Sequence, residues 1–228
     1  MRVIVAVGGS VLAPDLDPDR VQAFADAVED IRAAGHDVGV VVGGGPVARD
    51  YITVARDLGA DEIRADEIGI GVTRLNARLL VTALGDATSG VATDYETAGN
   101  ALRRGDVPVL GGVAPGQSTD AVAAALSEYT GADLLVYATS VPGVFDADPE
   151  TDPDATRFDT LAPADLVDVV AGIEMRAGSA APVDLLAAKL LERTGVRAIV
   201  LDGTDPGRVV DAVLDDEFDG TLVAPAGD

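Results

Sequence analysis

The chain has 228 residues, 48% hydrophobic but only 4% aromatic, enough for one large α/β domain or two small ones with a core of Val, Leu, Ile and Ala. A net charge of −23 and the absence of cysteine exclude disulfides and thiolate metal sites, and they disfavour nucleic acid and anionic membranes as partners. Asp outnumbers Glu 30 to 9 and Arg outnumbers Lys 15 to 1, a surface suited to a halophile, since in salt near 1 M the Debye length falls to roughly 3 Å and self-repulsion is screened.

In chain order, RVIVAV (2–7) reads as a strand buried on both faces. Met1 leads straight into it, and no apolar run approaches a bilayer span, so the expected location is cytoplasmic. Asp17-Pro18 opens a helix whose apolar face is Val21, Phe24, Ala25, Val28 and Ile31, and Gly35 ends it. His36, the one histidine, sits in a turn on the expected far side of the sheet and is read as a surface residue. DVGVVV (37–42) is a second strand, followed by a helix from Pro46 carrying Val47, Tyr51, Ile52, Ala55 and Leu58. The alternation continues with a helix near 66–84, a strand near 107–111, a helix near 119–130 and a strand near 133–137. A helix near 183–194, a strand near 197–201, a helix near 206–214 and a closing strand at 219–224 complete it. The pattern predicts a three-layer αβα sandwich around a mostly parallel sheet, in one domain with two halves. On the helix near 66–84, Ile68, Val72, Leu75 and Leu79 suit either a subunit contact or packing on the chain's own sheet.

Residues 142–163 break the rhythm as an Asp- and Pro-rich, hairpin-like excursion. Its acids do not make a calcium loop. Thr151 stands where the invariant glycine is needed after Asp146, Asp148 and Glu150, and Arg157 stands in place of the bidentate glutamate.

Three glycine-rich turns follow strands: VGGSVL (7–12), VVVGGGPVARDY (40–51) and VLGGVAPGQSTDAVAAAL (109–126). A lone glycine turn is weak evidence, but three at the carboxyl ends of parallel strands share one edge, where open α/β sheets bind ligands. Glycines let backbone N–H groups approach phosphate closely. Neither G-x-G-x-x-G nor G-x-x-x-x-G-K-[ST] occurs, so dinucleotide oxidoreductases and P-loop enzymes lose support.

VAVGGS, VVVGGGPVARDY, DEIGIGVTRLNARLL, GGVAPGQSTDAVAAAL and TSVPGVFDADP resemble, in order and over nearly the whole chain, the amino acid kinase family, and within it the archaeal type of uridylate kinase. The resemblance implies transfer of a phosphoryl group from ATP to UMP with Mg²⁺, in a homohexamer. It implies an N-terminal half mainly for UMP and a C-terminal half mainly for ATP. Gly8, Gly9 and Ser10 would line the ATP phosphates with backbone donors, with Gly45 and Arg49 on the same side. Thr139, Ser140, Phe145 and Asp148 would bound the adenosine, making the excursion a nucleotide lid. Gly44 would face UMP, Asp66 would accept from its ribose hydroxyls, and Ala114, Pro115, Gly116, Gln117, Ser118, Thr119 and Asp120 would wrap its phosphate and base. Arg74 joins the UMP side or stays a surface residue.

Phosphoryl transfer needs positioning and charge stabilisation more than a nucleophilic side chain. Catalytic weight therefore falls on Arg49, on Asp120 as an organiser of cations, and on Lys189. Lys189 lies on the leucine arc of its helix, either aimed into the site or packed on leucines with its ammonium in water. Many family members carry a lysine where this chain has Ala6, so positive charge must come from elsewhere. Two rival readings stay open: a kinase of the same fold acting on N-acetylglutamate, carbamate or isopentenyl phosphate, and a non-catalytic nucleotide- or oxyanion-binding protein.

Overall fold

The computed structural model describes residues 1–147, 149, 152–174 and 182–225. Its strands are β1 (Arg2–Val7), β2 (Asp37–Val42), β3 (Val91–Ala92), β4 (Val109–Leu110), β5 (Leu134–Thr139), β6 (Thr160–Leu161), β7 (Arg197–Asp202) and β8 (Gly220–Val223). They form one sheet in the order β3-β4-β2-β1-β5-β7-β8-β6. All pairings from β3 to β7 are parallel, β8 runs antiparallel to β7, and β6 pairs parallel with β8. The helices are α1 (Gly9–Leu12), α2 (Pro18–Ala33), α3 (Gly45–Asp57), α4 (Glu62–Leu84), α5 (Tyr95–Arg104), α6 (Thr119–Thr130), α7 (Pro163–Glu174), α8 (Leu185–Thr194) and α9 (Gly207–Leu214).

Successive strand residues point to opposite faces, so the unbroken apolar run of β1 feeds two cores at once. Val3, Val5 and Val7 pack with Phe24 and Ile31 of α2, Leu80 of α4 and Val213 of α9. Ile4 and Ala6 face the other way, toward Ala98 of α5, Leu126 of α6, Leu166 of α7 and Leu191 of α8. Burying each large side chain contributes about 1.5–3 kcal/mol. The expected αβα sandwich is the observed fold.

Many of the scattered acids have a local task. Asp17, Asp61, Asp94 and Asp184 accept from backbone N–H groups at the starts of α2, α4, α5 and α8, and Ser118 does so for α6. Each cap contributes about 1 kcal/mol. Gly105, Gly131 and Gly195 end α5, α6 and α8 with φ of 82°, 62° and 65°, a left-handed stop that costs glycine nothing.

Several boundaries differ from the sequence reading. The helix expected from 66 begins at Glu62, capped by Asp61, so Asp66 lies in its second turn. The strand expected over 107–111 is only Val109–Leu110, because Pro108 has no N–H and Gly112 turns away to bond α4. Helices α5 and α7 and strand β3 were missed, although Asp94 with Ala98, Ala101, Leu102 and Gly105 carries cap, apolar arc and stop. The apolar arc assigned to α3 is largely outside: Tyr51 is 59% and Leu58 83% exposed, and only Ala48 and Ala55 are buried. The excursion is hairpin-like, with Phe145 bridged to Arg157 and Phe158 N–H donating to Val144 O at 2.9 Å. His36 sits at the start of β2, the opposite end of the sheet from the glycine turns.

Candidate active site

From β1 the chain moves to β2 on one side, and after β4 it returns to β5 on the other. The carboxyl ends of β1, β2 and β5 therefore surround a topological switch point, where α/β sheets place ligands. A cleft of about 390 Å³ opens there, lined by Gly8, Gly9, Ser10, Gly43, Gly44, Gly45, Arg49, Thr119, Asp120, Thr139 and Ser140, and walled by Val141, Gly143, Phe145, Ala147, Pro149, Ile173 and Pro182. A second lobe of about 270 Å³ adjoins it, lined by Asp66, Gly69, Ile70, Thr73, Gly112, Gln117, Ser118 and others. Gly44, Gly45, Arg49 and Thr119 line both lobes.

The glycines are needed first by one another. A Cβ on Gly9 would lie 2.2 Å from Gly45 N and 2.4 Å from Gly44 C, so the two turns cross backbone on backbone. Gly45 also has a φ of +65°. Gly8 does not supply the expected donor: its N–H is held by Ala138 O at 3.0 Å, and that of Gly43 by Val7 O at 2.8 Å. What faces the cleft is the first turn of α1 and of α3, both capped by glycine with no side-chain partner. Helix first-turn N–H groups have no partner within the helix, so those of Gly9, Ser10 and Gly45 are positioned to meet an anion.

Lobe two is braced by α4. The Asp66 carboxylate accepts Gly116 N–H at 2.7 Å, pinning the turn in which Gln117 N–H donates to Ala114 O at 3.3 Å. Arg74 does not line the lobe. Its guanidinium donates to Gly112 O at 3.1 Å and to Val113 O at 3.4 Å. Thr73 accepts Gly112 N–H at 2.7 Å, and buried Asn76 donates to Gly43 O at 2.9 Å. Thr73, Arg74 and Asn76 thus hold the glycine turns, while Asp66 both pins its turn and lines the lobe. Of the expected 114–120 wrap, Gln117, Ser118 and Thr119 line lobe two and Asp120 lines lobe one, while Ala114, Pro115 and Gly116 lie outside both linings.

Asp120 is half-buried, and its carboxylate accepts no hydrogen bond among the described residues. Burial, and then the neighbouring Asp184 carboxylate, raises its pKa to about 7. Asp184, which the sequence reading did not single out, caps α8 and accepts from the Ser118 hydroxyl, tying the starts of α6 and α8 together. Its position just ahead of an apolar-periodic helix was the available signal. Beneath them, fully buried Tyr137 donates to Asp120 O at 3.2 Å. Tyr137 pairs across the sheet with Ala6, so an aromatic ring packs beside that small residue.

The cation facing both lobes is Arg49, the only basic side chain among the described lining residues, and it has no ion pair among them. Lys189 is not in the site. It is exposed on α8, its Nζ 2.9 Å from Glu192, because the buried arc of that helix is Ala187, Ala188 and Leu191. Phe145 lines lobe one, joined by Ala147, Pro149, Ile173 and Pro182. The Thr139 hydroxyl is engaged by the backbone of Val141, at 2.9 Å to its O and 3.1 Å from its N. Asp148 lies outside the described residues. Arg157 holds the excursion, donating to Pro142 O at 3.1 Å and pairing with Asp219 at 2.6 Å.

Two lobes meeting at unpaired amides and one arginine form a place where two anionic ligands can lie end to end. A uridylate kinase of Halobacterium salinarum is 66% identical over 228 residues, covering 100% of this chain and 95% of that protein. One from Haloarcula marismortui is 64% identical over 226 residues, covering 99% of each. The crystal structure of a uridylate kinase from Archaeoglobus fulgidus superposes with a TM-score of 0.88 at 42% identity, covering 98% of this chain and 100% of that one. The sequence pattern of the amino acid kinase family matches residues 1–202. With that match, the doubly lobed cleft and the shared fold, the chain belongs to the amino acid kinase family.

Proposed function

We propose that the chain is a uridylate kinase that passes the γ-phosphoryl group of ATP to UMP, giving UDP and ADP in pyrimidine nucleotide synthesis. The observation that carries this reading is the pair of lobes sharing Gly44, Gly45, Arg49 and Thr119. Lobe one takes ATP, with Phe145 and Pro149 along the adenosine and the amides of Gly9, Ser10 and Gly45 at its phosphates. Lobe two takes UMP, with Asp66 at the ribose and Gln117 to Thr119 around phosphate and base. Lobe two is lined by residues between 44 and 119 and the wall of lobe one by residues between 139 and 182, which supports a UMP-binding first half and an ATP-binding second half.

The UMP phosphate is already ionised and attacks without a strong general base. The chain's own contribution is alignment by rigid backbone and stabilisation of charge at the shared edge, where Arg49 stands. Mg²⁺ fits this chemistry. Among the described residues the Asp120 carboxylate has no hydrogen-bond donor, and no group of three acids, histidines or cysteines forms a cage. A cation held by Asp120 and the substrate phosphates matches how Mg²⁺ binds in kinases. When bound it neutralises charge on the transferred group.

A homohexamer is part of the proposal. Tyr51, Val54, Leu58, Ile63, Leu75 and Leu79 are exposed on α3 and α4, two helices packed on each other, and such apolar exposure marks association surfaces. Among the described residues no helix is long and apolar enough to cross a membrane, and the reading carries a cytoplasmic location with it.

Incubating the purified chain with ATP, Mg²⁺ and each nucleoside monophosphate in molar KCl, then separating the nucleotides, tests the reading. UDP is the expected product. ADP formed only with an acyl-amino acid, carbamate or isopentenyl phosphate selects another kinase, and no ADP with any acceptor selects a non-catalytic binder.

A further inference from the structure

Lobe two holds a polar contact that the reaction does not explain. Tyr95 OH donates to Gln117 Oε1 at 3.3 Å. Tyr95 is the first residue of α5, fixed by the Asp94 cap, whose carboxylate accepts Thr97 N–H at 2.7 Å. Its ring packs against Tyr129 with centroids 6.3 Å apart and an interplanar angle of 31°. Gln117 itself lines lobe two, one peptide along from the Gly116 N–H that Asp66 holds.

An amide side chain has an acceptor end and a donor end, and rotating it by half a turn exchanges them. A phenol can donate or accept, but its lone pair is drawn into the ring and its oxygen is a weak acceptor, so its contact with Oε1 favours one orientation over the flipped one. Nε2 then keeps both hydrogens, and it has no partner among the described residues. Burial raises the Tyr95 pKa above the ordinary value, so the phenol keeps its proton.

We infer that Tyr95 is a positioning residue that locks the Gln117 amide with its donor toward lobe two, so that the lobe selects a pyrimidine with a keto group at the 4-position over one with an amino group there. Uracil presents an acceptor oxygen at that atom, whereas cytosine presents an N–H₂ that meets the amide donor head-on. Two facing donors leave both unpaired, and polar sites reject such analogues more strongly than apolar pockets do. The inference rests on the uridylate kinase reading and adds the determinant of base choice.

Tyr95→Phe is the test, since it keeps the ring against Tyr129 and removes only the hydroxyl. Initial rates with UMP and CMP at saturating ATP give the ratio of kcat/KM for the two acceptors. The expected result is a fall in that ratio by about 5- to 10-fold, carried by a higher KM for UMP, with kcat within about 2-fold and the melting temperature unchanged. Gln117→Glu, which offers only acceptors, should turn the preference toward CMP. A ratio that stays within about 2-fold of wild type in Tyr95→Phe overturns the inference. A wild-type protein that phosphorylates neither UMP nor CMP counts against the uridylate kinase reading itself, and takes this inference with it.

Discussion

The two lobes are built differently. Lobe two is held by side chains bonded to main chain: Asp66 to Gly116, Thr73 to Gly112, Arg74 to Gly112 and Val113, and Asn76 to Gly43. All four side chains come from one long helix, α4. Lobe one has a firm floor in the β1 and β5 turns, but its outer wall is the excursion, fastened by Arg157 and by Thr221, whose hydroxyl accepts Val144 N–H at 2.8 Å. One lobe is preformed by a helix, and the other is closed by a strap. On the proposed reading, discrimination between acceptors belongs to lobe two and accommodation of the phosphoryl donor to lobe one.

The largest expected effect lies where the lobes meet. Arg49→Ala should lower turnover by about 10²- to 10³-fold and leave the melting temperature nearly unchanged, because the side chain is exposed and has no ion pair among the described residues. Loss confined to the KM of a single substrate would assign Arg49 to one lobe and break its shared role.

Asp120→Asn should cut turnover by about 10²-fold and also change stability in a pH-dependent way. The folded-state pKa of about 7 lies above the unfolded value near 3.8, so the folded chain binds the extra proton between those limits. Its favourable contribution is complete below the unfolded pKa and is lost as pH rises through about 7. Chemical denaturation should therefore find the variant about 1–2 kcal/mol more stable than wild type at pH 8, with the difference closing near pH 4. A constant difference across that range would mean that the carboxylate does not carry the proton.

Asp66→Asn tests lobe two alone. The KM for UMP should rise about 10- to 50-fold while the KM for ATP stays within about 2-fold, since one charged acceptor is lost from ribose and from the Gly116 turn. Equal change in both constants would show that α4 supports the two lobes jointly. Arg157→Ala tests the strap, and its effect should be the smallest: about 3- to 5-fold on the KM for ATP and none on that for UMP.

Much of this was legible from residues alone, for identifiable reasons. The apolar run of RVIVAV and the spacing of Val21, Phe24, Ala25, Val28 and Ile31 fixed strand and helix because each obeys one local period. Lys189 misled because the face of its helix that packs on the core is Ala187, Ala188 and Leu191, while the leucine arc of Leu185, Leu186 and Leu190 that it shares is only half-buried or exposed. Asp184 and Tyr95 escaped notice because each acts on a residue far away in sequence, Ser118 and Gln117.

By itself the sequence determined the alternation of strands and helices, the glycine turns at strand ends, the caps and the acidic surface. All of these depend on neighbours within a few positions. Only the tertiary structure decided that the glycines of two turns press against each other, that Gly8 gives its N–H to β5, and that Arg74 braces a loop instead of facing the lobe. It likewise decided the surroundings of two charges: Arg49 between two lobes with no ion pair among the described residues, and Asp120 beside Asp184. The reason is physical. Hydrogen-bond satisfaction and desolvation are set by what the fold brings within a few ångströms, and residues dozens of positions apart meet only when the sheet has assembled.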